Sequence, residues 1–289
     1  MGMLCDHMIE TLKLKRCQQN TIDCYVRSVQ DLANFHRGRS LLKLGDDDIR
    51  SYLLDLVEVR RLSPSTHAQR LAGIKFFYRT TAKLPDVVAG IPSPKVPLRL
   101  PVPLTSDEIE KLLGCITSIK HRALCTLAYD SGLRINEACP LQVPDIDSKQ
   151  MLVHVRHGKG NKARDARLGE QTLELLRDCW RAIKPTGSYL FPGQVSGKPI
   201  TSTAVANALR QAAKAAGIKK RVSPHVLRHS FAVHHLEMGT DILTIQALLG
   251  HSSYETTLHY ARVSVALLTK TKTPLDARRL QHKTLPVHP

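Results

Sequence analysis

Four short segments stand out along this chain for the chemistry their residues could do together. "SGLRINEACPLQVPDID" places Arg134 two residues after a glycine, with Glu137 one helical turn further on. "HGKGNKAR" sets Lys159 at the tip of an expected hairpin, with Lys162 in the same basic turn. "SPHVLRHSF" spaces His225 and Arg228 three apart, hence on one face of a helix. "LLGHSSYETTLHY" carries His251 and two tyrosines, Tyr254 and Tyr260, in a chain with only seven Tyr, five Phe and one Trp.

A guanidinium presents a planar fork that matches the nonbridging oxygens of a phosphate. Two such forks can neutralise charge on a pentacoordinate phosphorus, the task a magnesium ion performs in metal-dependent nucleases. A loop lysine can donate a proton to a leaving oxygen, and a histidine can accept or hold one. Tyrosine supplies an oxygen nucleophile. With a pKa near 10, its ionisation at pH 7 costs roughly 4 kcal/mol, a cost that nearby cations and a histidine would lower. The combination is coherent for metal-free phosphoryl transfer from DNA to protein. Each arginine alone would read as a surface ion pair, and either tyrosine as packing. His225 and His229 have i, i+4 metal-ligand spacing, but a zinc hydrolase would need a third ligand and a base, and no H-E-x-x-H occurs.

The elements that must position these groups follow from the local patterns. "TIDCYVRSVQDLANFH" puts Ile22, Tyr25, Val29, Leu32 and Phe35 at helical spacing. "DDDIRSYLLDLVEV" opens on acidic residues that suit a helix N-terminus, and Ser63–Pro64 reads as a cap followed by proline in the first turn. Residues 1–84 are therefore a four-helix module, either a DNA clamp or a protein-binding bundle. The stretch "KLPDVVAGIPSPKVPLRLPVPL" has six prolines, so no regular element is expected across it. It divides the chain in two. Beyond it, Thr105 and Glu108 have capping-box spacing, and "IKHRALCTLAYDSG" reads as a buried helix. Met151, Val153 and Val155 then alternate, "GKGN" turns, and a second strand runs toward Leu168, giving a small antiparallel sheet. Helices are expected at about 170–182, 201–216, 224–238, 241–249 and 254–260. The fold class is mainly α with a small antiparallel β-sheet in the C-terminal domain.

Composition narrows the partner. The 289 residues carry 42 Lys and Arg against 25 Asp and Glu, a formal net charge of +17. The excess is spread, +5 over residues 1–84 and +12 over residues 85–289. A distributed excess suits a long polyanion whose counterions are released on binding, and nucleic acid fits best. Apolar runs fall far short of the ~18 residues that span a bilayer, and the N-terminus lacks a signal-peptide core. Seven cysteines without a C-x-x-C pair support neither a disulfide framework nor a thiolate zinc site. The expectation is a cytoplasmic, nucleoid-associated protein with no membrane contact.

In order and spacing the four segments resemble the tyrosine recombinase (phage integrase) family, close to its Xer-like and integron-type members. "GLRINE" is similar to its first arginine box, "GKGNKAR" to its hairpin lysine box, "HVLRHSFAVHHL" to its His-x-x-Arg box and "LLGHSSYETTLHYARV" to its tyrosine box. The resemblance covers about 105–265 through specific motifs, and 1–84 only through a helical pattern. It implies a two-domain DNA clamp: a helical, SAM-like core-binding domain at 1–84, a linker at 85–104, a mixed α/β catalytic domain at 105–270 and a tail at 271–289. It implies Tyr260, nine residues after His251, as nucleophile in preference to Tyr254. Arg134 and Arg228 would hold the scissile phosphate, Lys159, in preference to Lys162, would protonate the departing 5′ oxygen, and His225 would act as general base or acid. His251 would hydrogen-bond a phosphate oxygen and Glu137 would buttress Arg134.

Three departures from the family pattern stand out: Pro140 where a leucine-rich helix normally continues, "HSS" for His-Ser-Asp, and His259 before Tyr260. The first bears on how Arg134 is held. The implied activity is site-specific DNA recombination for a mobile element, with no metal or nucleotide cofactor. The implied assembly is a dimer on a site and a tetramer in synapsis, with room for an accessory recombinase or directionality factor. Val265 to Leu268 could dock on a neighbouring subunit. A catalytically silent DNA-binding protein of the same fold and a type IB topoisomerase-like nicking-closing enzyme are the rival readings.

Overall fold

The structure, a computed structural model, describes residues 2–37, 39–97, 102–156, 163–185 and 187–250. Lys159, Lys162, His251, Tyr254, His259 and Tyr260 lie outside those residues, as do the helix expected at 254–260, Val265 to Leu268 and the 271–289 tail. The chain forms two compact units, Met1–Arg99 and Leu100–Pro289.

The first unit has four helices: α1 (Gly2–Leu14), α2 (Gln19–Phe35), α3 (Asp46–Glu58) and α4 (Pro64–Phe76). The expected face of α2 turns inward, with Ile22, Val29 and Leu32 buried. The Ser63 hydroxyl accepts the Thr66 N–H at 3.3 Å, with Pro64 in the first turn where no backbone donor is needed. Helix α4 runs on through a wider π-turn at Phe77–Thr81, which buries Phe77 and Tyr78. The Tyr78 hydroxyl donates to the Leu41 carbonyl at 2.8 Å, so the polar end of this buried ring is satisfied.

The proline-rich stretch departs from expectation at its start. Pro85–Val88 form a short 3-10 helix, and Val88 and Ile91 are buried in the first unit's core. Proline removes a backbone donor only where one is required, and at the first turn of a helix it is not. Lys75 Nζ donates to the Ile91 carbonyl at 2.7 Å and ties this segment to α4. Residues 91–97 carry no regular element.

In the second unit, α5 (Ser106–Gly114) opens on the expected capping box. The Thr105 N–H donates to Glu108 Oε2 at 2.8 Å, and the Glu108 N–H to Thr105 Oγ1 at 3.2 Å. Next come α6 (Ile119–Asp130), the single turn α7 (Ile135–Ala138), strands β1 (Ile146–Asp147), β2 (Leu152–Val155) and β3 (Arg164–Arg167), and helices α8 (Glu170–Ile183), α9 (Ser202–Ala215), α10 (Pro224–Glu237) and α11 (Ile242–Leu249). The sheet is antiparallel in the order β1-β2-β3, with Val153 paired to Ala166 and Val155 to Arg164. Helix α6 sits against α8 and α10, and Leu124, Cys125 and Leu127 lie in the core there.

Helix α10 is enclosed on all sides from Val226 to His234. Its polar residues must therefore find partners inside the protein. Ser230 Oγ accepts the Leu104 N–H at 2.9 Å, and His234 Nε2 donates to the Leu104 carbonyl at 2.9 Å. Arg228 is the charged residue enclosed with them, only 4% exposed.

Candidate active site

Arg134 is placed by a tight turn. Helix α6 ends at Asp130, the chain reverses through Gly132, and Arg134 caps α7. Gly132 has φ +59, and a Cβ there would lie 2.6 Å from a ring carbon of Phe231 on α10. Glycine thus meets both a backbone demand and a packing demand at one position. Pro140 accounts for the brevity of α7, since its ring displaces a helical donor. The single turn still suffices to hold Arg134. Glu137 turns back to accept its backbone N–H at 2.9 Å and its guanidinium at 2.7 Å.

Arg228 reaches the same place from α10. It donates to the Gly132 carbonyl at 2.5 Å and to the Leu249 carbonyl at 2.6 Å, and lies 3.9 Å from Glu137 Oε2. Arg134 and Arg228, predicted from sequence to share a site, are therefore brought together around Glu137. His225 lies on α10 three residues before Arg228 and is exposed.

A third arginine, which the sequence reading did not single out, completes the cluster. Arg164, the first residue of β3, donates to Glu137 Oε2 at 2.8 Å and to the Leu248 carbonyl at 2.8 Å. Its signal was present in the pattern. Arg164, Ala166 and Leu168 share the parity of a strand's inward face, and directly paired residues of an antiparallel sheet project to the same side. Arg164 pairs with buried Val155, so a charge occupies a core-facing position.

Glu137 is 5% exposed. Burial pushes its carboxyl up, but the Arg134 N–H and the charges of Arg164 and Arg134 outweigh this and hold it below the usual carboxylate range. Among the described residues, three guanidiniums surround one carboxylate. Two unit charges 4 Å apart repel by about 4 kcal/mol at an effective dielectric of 20. An anion bound beside Arg134, whose side chain is 23% exposed, would relieve that repulsion.

The chain is also similar to known proteins over most of its length. Residues 103–266 match the phage integrase family, and residues 4–85 match the phage integrase N-terminal SAM-like domain. The chain is 41% identical over 277 residues to "Putative integrase/recombinase y4qK" of Sinorhizobium fredii, covering 96% of this chain and 89% of that one. It is 34% identical over 300 residues to tyrosine recombinase XerD of Caulobacter vibrioides, covering 95% and 97%. Among solved structures, a lambda integrase dimer bound to a core site matches with a TM-score of 0.74 at 19% identity, covering 92% of this chain and 96% of that one. The XerH recombinase bound to its difH substrate matches at 0.68 and 22%, covering 83% and 76%. The chain belongs to the phage integrase family and is a tyrosine recombinase.

Proposed function

We propose that this recombinase cuts and rejoins DNA at specific sites through a 3′-phosphotyrosyl intermediate on Tyr260, in the service of a mobile genetic element. Arg134 and Arg228 hold the nonbridging oxygens of the scissile phosphate. The Tyr260 Oη–P bond forms as the P–O5′ bond breaks. The phenolic proton passes to His225, and the departing 5′ oxygen takes a proton from Lys159. His251 hydrogen-bonds a phosphate oxygen, and Glu137 buttresses the arginines. Attack by a 5′ hydroxyl of the partner duplex reverses the step. The phosphoester energy is kept in the covalent link, so no nucleotide is consumed.

Residues 1–84 and 105–270 act as the two arms of a clamp on double-stranded DNA. Two duplexes with two breaks each require four protomers, a dimer on each site. The observation that carries this reading is the packing of Arg134, Arg164 and Arg228 around Glu137, three cations against one carboxylate among the described residues. The relatives named integrase/recombinase support the mobile-element role, and solved neighbours of the same fold are DNA complexes.

The test incubates the protein with plasmid bearing its own gene and flanking DNA, and looks for a covalent adduct on denaturing gels. The adduct should form with wild type and with Tyr254→Phe, and vanish with Tyr260→Phe. An adduct that persists in Tyr260→Phe refutes the nucleophile. Absence of any wild-type adduct supports a silent DNA-binding protein. Relaxation of plasmid lacking the flanking DNA supports a topoisomerase.

A further inference from the structure

Strand cleavage as proposed uses two of the three arginines at Glu137. Arg164 is the third, and its nitrogens face protein. One terminal nitrogen donates to Glu137 and the other to the Leu248 carbonyl, while Nε is buried without a hydrogen-bond partner among the described residues. Gly250, the left-handed cap of α11 at φ +62, lies against this side chain. A Cβ there would stand 2.5 Å from Arg164 Cδ and 2.8 Å from Nε. The end of α11 is thus shaped to admit an arginine.

A charge on the inward face of a strand is costly to desolvate, and an apolar residue opposite Val155 would serve stability as well. What an arginine adds is a rigid fork that fixes separate groups at once. Here it fixes three elements: β3 by its own backbone, α7 through Glu137 and α11 through Leu248. Lys159 stands five residues before Arg164 in the chain, and His251 three residues after Leu248.

We infer that Arg164 is a positioning residue for strand cleavage, holding the start of β3, five residues after Lys159 in the chain, against Glu137 and Leu248. The inference rests on the proposed role of Lys159 as proton donor to the 5′ oxygen. Misplacing a catalytic group by about 1 Å can cost on the order of 100-fold. Arg164→Gln should therefore slow single-turnover cleavage about 100-fold while gel-shift affinity for the duplex holds.

The discriminating substrate is the same duplex with sulfur replacing the bridging 5′ oxygen at the cleaved bond. A thiol ionises near pH 8.5, so a thiolate departs without a proton donor. Lys159→Ala and Arg164→Gln should both recover most of their lost rate on the sulfur duplex. Arg164→Lys, which keeps the charge but cannot span Glu137 and Leu248 together, should fall between wild type and Arg164→Gln and show the same recovery. It also serves should Arg164→Gln fail to fold. If Lys159→Ala recovers and neither Arg164 variant does, Arg164 acts through something other than the proton donor and the inference is overturned. If Lys159→Ala itself does not recover, the leaving-group role of Lys159 falls, and the inference with it.

Discussion

Two sets of arginines, one in each unit, handle charge in opposite ways. In the first, Arg50 pairs with Asp46, Arg39 with Asp48, and Arg60 with Asp31 and Asp55, all at the surface. Each of these three arginines has at least one carboxylate to itself, and the pairs fasten local structure. In the other, Arg134, Arg164 and Arg228 gather inside the protein around Glu137, the carboxylate they share among the described residues. Stability alone favours the first arrangement, since an excess of buried cations repels itself. The second arrangement makes physical sense where a further anion completes it. Charge balance, more than charge number, thus separates scaffold from site.

The sharpest way to break this contrast is at Glu137. Replacing it with glutamine removes the counter-charge that three guanidiniums share, and loss of one partner of a buried ion pair costs about 3–5 kcal/mol. Glu137→Gln should lose roughly that much in denaturant unfolding. A change under about 1 kcal/mol would make the cluster equivalent to the surface pairs. Next in size is Gly132→Ala. It combines a left-handed backbone with a Cβ 2.6 Å from Phe231, and strain of that kind costs on the order of 1–3 kcal/mol. Its unfolding midpoint should fall, and Arg134 should be displaced with the turn. In the first unit, Tyr78→Phe removes only the hydroxyl that donates to Leu41, whose carbonyl keeps the Leu44 N–H, and about 1 kcal/mol should be lost with that hydrogen bond. Smallest is Arg50→Ala, whose surface pair should contribute no more than about 1 kcal/mol to the same measurement.

The pH dependence of the Glu137→Gln difference sharpens the comparison. The folded value of Glu137 lies below its ordinary 4.5, so its stabilisation is whole above that value and is lost as pH falls through the folded one. The gap between wild type and Glu137→Gln in unfolding free energy should be widest near neutral pH and close in acid. A gap that widens below pH 4.5 would mean that Glu137 is not held ionised by the arginines.

Much of this was legible in the sequence, for local reasons. The inward face of α2, the Ser63–Pro64 start of α4 and the Thr105/Glu108 box each depend on residues within a turn or two, and the structure has them as expected. The alternation Val153, Val155 marked β2 in the same way. The short 3-10 helix at Pro85–Val88 was hidden because six prolines dominate the stretch, while Val88 and Ile91 are buried by packing that no local pattern announces. Strand β1 is only two residues, too short to show a period. Arg134 and Arg228 were found through their motifs, but Arg164 was not. Its importance comes from Glu137 and Leu248, distant in the chain, and only strand parity hinted that it pointed inward.

The central claim is that the excess positive charge around Glu137 receives a phosphodiester. Cleavage rates on a duplex with a neutral methylphosphonate at the mapped bond test it most directly, against the ordinary phosphate duplex. If the guanidiniums offset phosphate charge, Arg134→Ala and Arg228→Ala should lose far less rate on the methylphosphonate than on the phosphate. Equal losses on both duplexes would contradict the account.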